Sequence, residues 1–250
     1  IHPHHISAYI ESFAGYSKNS TAFALNMMKA LFNYAYETGY GSVNYSVAVP
    51  KVAYAQYNRI PTVFSEDEIE RILKCIDTNN PIGKRNYAVI LIAARLGMRV
   101  SDIINLRFEA IHWSAKVISI VQQKTGEPLS LPLPDDVGWA IINYLRFGRP
   151  VAPDNCDYVF VRHNAPYGKL TSCFQKDLQR AIQKAGISVK SNSKVGMHSF
   201  RHSLASNLLS KGTEIAEIAQ ILGHSTTEVT EEYLRITPAL LQECALEVEF

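Results

Sequence analysis

A histidine and an arginine, His198 and Arg201, stand three residues apart in the sequence His-Ser-Phe-Arg. On a helix, residues three apart lie on the same face, so the imidazole and the guanidinium would point at one target. A fork of charged donors beside a titratable base suits a phosphodiester. The alternative is an ordinary surface pair, which is the usual outcome when this short pattern stands alone.

A second histidine, His202, follows His198 by four residues, and His224 could complete a set of three. A zinc hydrolase is therefore an alternative, because neutral imidazole is a usual zinc ligand. The metalloprotease pattern, however, has a glutamate directly after the first histidine, and Ser199 stands there. No cysteine or aspartate nearby completes a ligand set, so we expect neither a metal nor another cofactor.

The spacing of His224 and Tyr233 gives a second pair of candidates. His224 comes just past a predicted helix end at Gly223, and Tyr233 follows it by nine residues. The chain has 13 tyrosines, and any single one is most often a core or surface residue. Only its position relative to His224 distinguishes Tyr233.

Arg99 is expected to be a fixed cation. It lies between a helix that stops at Gly97 and a new helix that we expect Ser101 to cap. Backbone on both sides would hold this arginine in place. Asp102 could accept its spare N–H groups, and a purely structural ion pair between the two is the alternative.

The sequence predicts a mainly α fold with one small antiparallel β-sheet. Residues 111–121 and 129–133 are rich in β-branched and apolar residues, and Gly126 can turn the chain between them, which predicts a β-hairpin with Lys124 near its tip. A capping box at Ser65–Glu68 marks the start of one helix. Apolar spacing predicts further helices over residues 6–14, 21–37, 84–96, 135–147, 171–185, 198–211, 214–222 and 226–235.

The composition excludes several classes of protein. With 250 residues, 47% of them apolar and 19% charged, the chain suits one large domain or two modest ones and is not disordered. No run of 18 apolar residues occurs, so we expect no membrane span. The four cysteines form no CxxC pair, which favours reduced thiols and a cytoplasmic protein.

The net charge of +2 conceals an uneven distribution. Residues 141–211 carry 11 Lys+Arg against 3 Asp+Glu, whereas residues 212–250 carry 1 against 8. A basic block followed by an acidic end is the asymmetry expected of a surface that meets a polyanion. Chance clustering of exposed charges is the alternative, and charge alone does not decide between the two.

Together these features resemble the tyrosine recombinases, also called phage integrases. "LGMRVSDIINL" and "QKTGEPLSLPL" are similar to the family's first-arginine box and lysine hairpin, and "MHSFRHSLASNLLSKG" and "ILGHSTTEVTEEYLRI" to its second-arginine and tyrosine boxes. The resemblance covers most of the chain, and the last two motifs rarely coincide by chance. Asp102 and His202 are expected to support the six residues that the resemblance identifies as catalytic, which are Arg99, Lys124, His198, Arg201, His224 and Tyr233.

The resemblance also implies a domain organisation. A tyrosine-recombinase-like catalytic domain would occupy residues 63–237, preceded by a small helical core-binding domain over residues 1–50 that is N-terminally truncated. Residues 51–62 would link the two. Residues 238–250 would form a tail helix, which in the family docks in a neighbouring protomer; folding back onto its own domain is the alternative.

The resemblance implies a covalent mechanism without a metal or cofactor. The family links a tyrosine to a 3′ phosphate and frees a 5′ hydroxyl, so Tyr233 would be the nucleophile. The two arginines and His224 would bind the non-bridging oxygens, where negative charge develops. Lys124 would protonate the leaving 5′ oxygen, and His198 would orient or deprotonate the phenol.

The expected function is that of a site-specific DNA recombinase, the integrase or transposase of a mobile element. The implied partners are double-stranded DNA with specific recombination sites and further copies of this chain in a tetramer on that DNA. Accessory DNA-bending or directionality proteins are also implied, and no membrane is. The expected location is the bacterial cytoplasm, at the nucleoid. A type IB topoisomerase and a non-catalytic DNA-binding protein of the same fold are the alternatives; the second would lack a catalytic residue, and all six are present.

Overall fold

The computed structural model describes residues 2–52, 62–151, 156–171, 174–189 and 195–223. The chain divides into two compact units, Ile1–Asn58 and Arg59–Phe250. Each unit has a hydrophobic core of its own. The division falls within the expected linker over residues 51–62, of which residues 53–61 lie outside the described ones.

The first unit is built from two helices, α1 (Pro3–Glu11) and α2 (Lys18–Glu37), and a 3₁₀ turn at Tyr45–Ala48. Ser17 caps α2, since its hydroxyl accepts a hydrogen bond from the backbone N–H of Ser20 at 3.2 Å. The helix therefore begins before the apolar periodicity does. The small core of this unit consists of Ile6, Leu25, Met28, Phe32 and Val49.

The second unit is mostly helical. Its first helix, α3 (Glu66–Lys74), starts at the predicted capping box: the Ser65 hydroxyl accepts from the N–H of Glu68 at 3.1 Å, and the Glu68 carboxylate accepts from the N–H of Ser65 at 2.9 Å. The described part of the unit continues with α4 (Pro81–Leu96), α5 (Val100–Ile104), α6 (Asp135–Phe147), α7 (Gln175–Lys184), α8 (Met197–Ser210) and α9 (Ile215–Leu222).

Helix α4 is the centre of the second unit. All residues from 88 to 94 are buried, and the helix packs against α3, α5, α6 and α8. A helix that is apolar on every side must be covered on every side. Each fully buried Leu or Ile contributes about 1.5–3 kcal/mol relative to its exposed state. Helix α9 packs on α8 through a smaller cluster, which consists of Ala205, Leu209, Ile218 and Leu222.

The sheet has three antiparallel strands in the order β1 (Ile111–His112), β2 (Val117–Val121) and β3 (Pro128–Pro132). The predicted hairpin is β2–β3, with Ile118 opposite Leu131 and both side chains in the core. The segment 111–121 is not a single strand, because a turn at residues 113–116, where Lys116 has φ of 52°, folds it into β1 and β2.

The mainly α fold with a small antiparallel sheet is confirmed. Where the predicted helices fall on described residues, their ends agree with the observed ones to within a few residues. The predicted helix over residues 226–235 and the tail over residues 238–250 lie outside the described residues. Among the helices that the structure does describe, none is long and apolar enough to cross a membrane.

Candidate active site

Helix α8 carries both residues of the His-Ser-Phe-Arg pattern near its N-terminal end. His198 is partly covered but keeps an accessible face, whereas Arg201 is only 4% exposed. Phe200, between them, is fully buried against Phe64, and the backbone N–H of Phe64 donates to the Ser203 hydroxyl at 2.7 Å. These contacts hold the helix at a fixed rotation and so fix the direction of both site residues.

The buried guanidinium of Arg201 is held by two backbone carbonyls. Its Nη1 donates to the carbonyl of Gly97 at 2.8 Å, and its Nη2 donates to the carbonyl of Leu222 at 2.6 Å. These carbonyls lie at the C-terminal ends of α4 and α9, where they lack an intrahelical partner and carry the negative end of the helix dipole. The two helix ends thus stabilise a charge that would be costly to bury alone.

Gly97 allows the end of α4 to come close enough for this contact. Its φ is 62°, in the left-handed region, so it ends the helix as the sequence predicts. A Cβ at this position would lie 2.7 Å from Cδ2 of Leu222 and 2.9 Å from Cδ2 of Leu204. Both the backbone conformation and the close packing therefore require glycine.

Arg99 lies at the start of α5 and is half-buried. The prediction that Ser101 caps this helix is wrong: α5 begins at Val100, Arg99 is its N-cap residue, and no side chain caps it. The carbonyl of Arg99 accepts from the backbone N–H of Asp102 at 2.9 Å, which fixes its backbone. Within the described ranges, Nη1 of Arg99 is buried without a hydrogen-bond partner.

Asp102 does not make the predicted contact with Arg99 in the part of the chain that the structure describes. It is 3% exposed, and its Oδ1 accepts a hydrogen bond from the backbone N–H of Gln123 at 2.9 Å. Gln123 directly precedes Lys124, so the carboxylate fixes the loop that carries the lysine. The sequence does not reveal this contact, because Gln123 lies 21 residues from Asp102 in the chain, whereas Arg99 lies only three residues away.

Lys124 is exposed in the loop between β2 and β3. Gly126 turns the chain with φ of 74°, and its N–H donates to the carbonyl of Gln122 at 2.9 Å. The N–H of Gln122 in turn donates to the carbonyl of Glu127 at 2.9 Å. Backbone hydrogen bonds therefore close the loop at its base, with the lysine on its exposed side.

The surroundings of His198 lower its pKa. Burial lowers the pKa of His198, and the positive charges of Arg201, Arg99 and Lys124 lower it further. Hydrogen bonds connect the three elements that carry these cations. Arg201 on α8 donates to the carbonyl of Gly97, two residues before Arg99, and it shares the carbonyl of Leu222 with Gln122, two residues before Lys124. The structure therefore places α8, the start of α5 and the base of the β2–β3 loop beside one another.

His202 lies one helical turn beyond His198 and is half-buried. Burial lowers its pKa to about 4, with smaller contributions from His198 and Arg201, so the ring is neutral at pH 7. Among the described residues, no group of three or more His, Cys, Asp or Glu side chains could hold a metal ion. His224, the third histidine of the zinc alternative, lies outside them.

The remaining two predicted catalytic residues, His224 and Tyr233, lie outside the described residues. The chain is described up to Gly223, which ends α9 with φ of 62°. Their participation in the site stays a prediction from the sequence.

One buried residue at the site, Gln122, is not indicated by any of the sequence motifs. It is 1% exposed, and its Nε2 donates to the carbonyl of Leu222 at 3.3 Å, the same carbonyl that Arg201 uses. The signal that could reveal it is the alternation along β2. Ile118 is buried, and position 122 falls on the same side of the strand. A polar side chain on a buried side needs partners.

The basic block over residues 141–211 is partly engaged within the protein itself. Arg149 donates to three backbone carbonyls, and Arg162 donates to one. Lys211 forms an ion pair with Glu66. The excess of positive charge in the sequence therefore overstates the number of cations available to a polyanion.

Comparisons with known proteins identify the family. The family model described as "Phage integrase family" matches residues 62–239. The chain is 36% identical over 221 residues to the protein y4rA of Sinorhizobium fredii, which is named as an integrase/recombinase. The match covers 88% of this chain and 52% of y4rA, so the chain spans about half the length of y4rA. It is 34% identical over 190 residues to y4gC of the same organism, named likewise, covering 76% of this chain and 96% of y4gC.

The fold is also found in solved structures. One is the site-specific recombinase XerH bound to its palindromic difH substrate in a post-cleavage complex, with a TM-score of 0.73 and 22% identity over 98% of this chain and 71% of that one. At this identity the likeness concerns the fold. The family model, which matches more than half of the chain, and the similarity to y4gC over nearly all of that protein establish the family: the chain belongs to the phage integrases, or tyrosine recombinases.

Proposed function

We propose that this protein is a site-specific DNA recombinase that cuts and rejoins DNA through a 3′-phosphotyrosyl intermediate, as the integrase or transposase of a mobile element. The observation that carries the proposal is the set of hydrogen bonds that joins the elements of these residues: Arg201 donates to the carbonyl of Gly97, beside Arg99, and shares the carbonyl of Leu222 with Gln122, beside Lys124. Three cations and an imidazole on adjoining elements are suited to a phosphodiester, whose non-bridging oxygens gain negative charge during an in-line displacement.

The two arginines would stabilise that charge. Arg201 is held by two helix ends, so its guanidinium is fixed before substrate arrives. Arg99 is half-buried at the start of α5, and the exposed part of its guanidinium would donate to a phosphate oxygen. Preorganised donors of this kind need no rearrangement during the reaction, which is why they lower the barrier.

The proposed step transfers the phosphoryl group from DNA to Tyr233. The phenolic oxygen attacks phosphorus, the bond between phosphorus and the 5′ oxygen breaks, and the 3′ phosphate becomes linked to the tyrosine. Lys124 gives a proton to the leaving 5′ oxygen, and the phenolic proton passes to His198. Rejoining is the reverse reaction with a new 5′ hydroxyl, so the energy of the broken bond is conserved and no nucleotide cofactor is needed.

The lowered pKa of His198 is consistent with its proposed role as the group that accepts the phenolic proton. Burial and the three cations keep the ring neutral at pH 7, so it has a lone pair for the hydroxyl of the nucleophile. A neutral ring also adds no charge to a site that is already cationic.

The proposed partners are double-stranded DNA with specific sites and further copies of this chain, assembled as a tetramer on two sites with accessory DNA-bending or directionality proteins. The XerH neighbour is bound to its difH substrate, which supports DNA as the partner of this fold. The exposed members of the basic block would contact the phosphate backbone, so binding should weaken as salt rises.

The test uses a nicked DNA substrate that traps the covalent intermediate. The wild-type protein should form an adduct, and peptide mapping should locate it at Tyr233. Tyr233→Phe should bind DNA but form no adduct, because only the attacking oxygen is removed. Tyr167→Phe, a change at an exposed tyrosine, is the matched control and should react normally. An adduct at the wild-type level in Tyr233→Phe would refute the assignment, and relaxation of plasmids that lack a site would indicate a topoisomerase.

A further inference from the structure

Gln122 is a buried amide at the base of the lysine loop. It follows the last residue of β2, lies two residues before Lys124 and is 1% exposed. Burying an amide is unfavourable unless its donor and acceptor both find partners. The partners of Gln122 therefore indicate which parts of the protein this side chain connects.

On one side, Gln122 organises the loop that carries Lys124. Its Oε1 accepts a hydrogen bond from the hydroxyl of Thr125 at 2.8 Å. Its backbone carbonyl and N–H bond to Gly126 and Glu127, each at 2.9 Å. The side chain and backbone of this one residue thus hold the turn on both sides of the lysine.

On the other side, Gln122 reaches the end of α9. Its Nε2 donates to the carbonyl of Leu222 at 3.3 Å, and Nη2 of Arg201 donates to the same oxygen at 2.6 Å. A carbonyl oxygen has two lone pairs and can accept both bonds. One backbone oxygen therefore connects the lysine loop with the buried arginine of the site.

The contact is close as well as polar. A Cβ on Gly223 would lie 2.4 Å from Nε2 of Gln122, so the amide packs directly against the bare backbone of that glycine. Gly223 has φ of 62°, which glycine adopts without strain. The loop and the end of α9 are thus in direct contact, and a shift of the amide would release the loop from α9.

We propose that Gln122 is a positioning residue, which fixes the Lys124 loop against the end of α9 so that the lysine meets the leaving 5′ oxygen. This inference rests on the proposed function, in which Lys124 is the general acid. The amide touches neither substrate nor reacting atoms; it acts through the lysine. Its loss should therefore slow the step in which the leaving oxygen takes up its proton.

The test compares two DNA substrates that differ only in the leaving atom. One has the ordinary 5′ oxygen, and the other has a 5′-bridging sulfur, which leaves without a proton. Gln122→Glu keeps the size and the acceptor for Thr125 but replaces the donor to Leu222 with an oxygen. Gln122→Met keeps the approximate length of the side chain and, unlike Gln122→Glu, introduces no charge. Gln183→Glu is the matched control, because it makes the same chemical change at an exposed glutamine of α7.

Both Gln122 variants should cleave the oxygen substrate at least about tenfold more slowly, the effect of roughly 1.4 kcal/mol, and the sulfur substrate at nearly the wild-type rate. Gln183→Glu should keep the wild-type ratio between the substrates. Equal slowing on both substrates, or no slowing, would overturn the inference. Failure of both Gln122 variants to fold, judged by circular dichroism, would also overturn it, because Gln122 would then be structural.

A separate measurement distinguishes failure of the proposed function. Lys124→Ala should be slow on the oxygen substrate and largely rescued by sulfur. If sulfur does not rescue Lys124→Ala, the lysine is not the general acid, so its proposed role and this inference both fail, whereas the adduct at Tyr233 still decides the proposed function. If sulfur rescues Lys124→Ala but not the Gln122 variants, only the inference about Gln122 fails.

Discussion

Replacing Gly97 with alanine should destabilise the second unit, Arg59–Phe250, by an amount that the structure allows to be divided into two parts. The backbone at φ of 62° costs a residue with a Cβ roughly 1–2 kcal/mol. The new methyl would also lie 2.7 Å from Leu222 and 2.9 Å from Leu204, and overpacking of this kind costs about 1–3 kcal/mol. We therefore expect the free energy of unfolding to fall by about 2–5 kcal/mol.

Gly212 provides the control for the backbone part. It has φ of 83°, and a Cβ there would meet nothing within 4 Å, so Gly212→Ala should cost only roughly 1–2 kcal/mol. Urea denaturation of both variants measures the difference. Because Leu222→Ala removes the atom nearest the new methyl, the double variant Gly97→Ala/Leu222→Ala should be more stable than the sum of the two single changes predicts.

The activity of the same variants tests the connection to the site. Displacing the Gly97 carbonyl would disturb one of the two backbone acceptors of Arg201, so Gly97→Ala should also slow covalent-adduct formation. Gly212→Ala should not. If Gly97→Ala is no less stable than Gly212→Ala and reacts at the same rate, the close packing around Gly97 neither stabilises the second unit nor positions Arg201.

Three further outcomes are expected. Lowering the pH from 6.5 towards 4 should reduce the free energy of unfolding by up to about 3 kcal/mol through His202. In this window the unfolded histidine takes up a proton, whereas the folded ring, with a pKa of about 4, does not. Urea titrations should show a weaker dependence of stability on pH for His202→Gln than for the wild type, and an unchanged dependence would contradict the reasoning. Cleavage should proceed in excess EDTA, because the arginines supply the positive charge; a requirement for added zinc or magnesium would favour the metal alternative through the histidines. Truncation after Thr237 should leave binding of one DNA site nearly intact and weaken assembly of the paired-site complex in gel-shift assays; equal assembly would mean that the tail packs on its own domain.

Much of the fold follows from local patterns in the sequence. The capping box at Ser65, the helix stop at Gly97 and the turn at Gly126 depend on residues adjacent in the chain, and the structure has all three. The pattern of His198 and Arg201 places both residues at the same end of α8. These features are predictable because each requires only a few neighbouring residues.

The long-range contacts of the site were not predictable in this way. Arg201 is bonded to backbone carbonyls, and every residue has one, so no residue type marks the acceptor. Asp102 stands next to an arginine candidate but bonds to the N–H of Gln123 instead. Sequence proximity favoured the ion pair, whereas the packing of α5 beside the β2–β3 loop decided the actual partner.

The two acceptors of Arg201 have a consequence for the order of assembly during synthesis. Gly97 and Leu222 lie on opposite sides of Arg201 in the chain, and the second is made last. A growing polypeptide that has not yet formed α9 lacks one of the two carbonyls, so burial of the guanidinium is less favourable and α8 docks less firmly. We therefore expect a nascent or proteolysed chain without α9 to hold Arg201 less firmly than a chain in which both carbonyls are present.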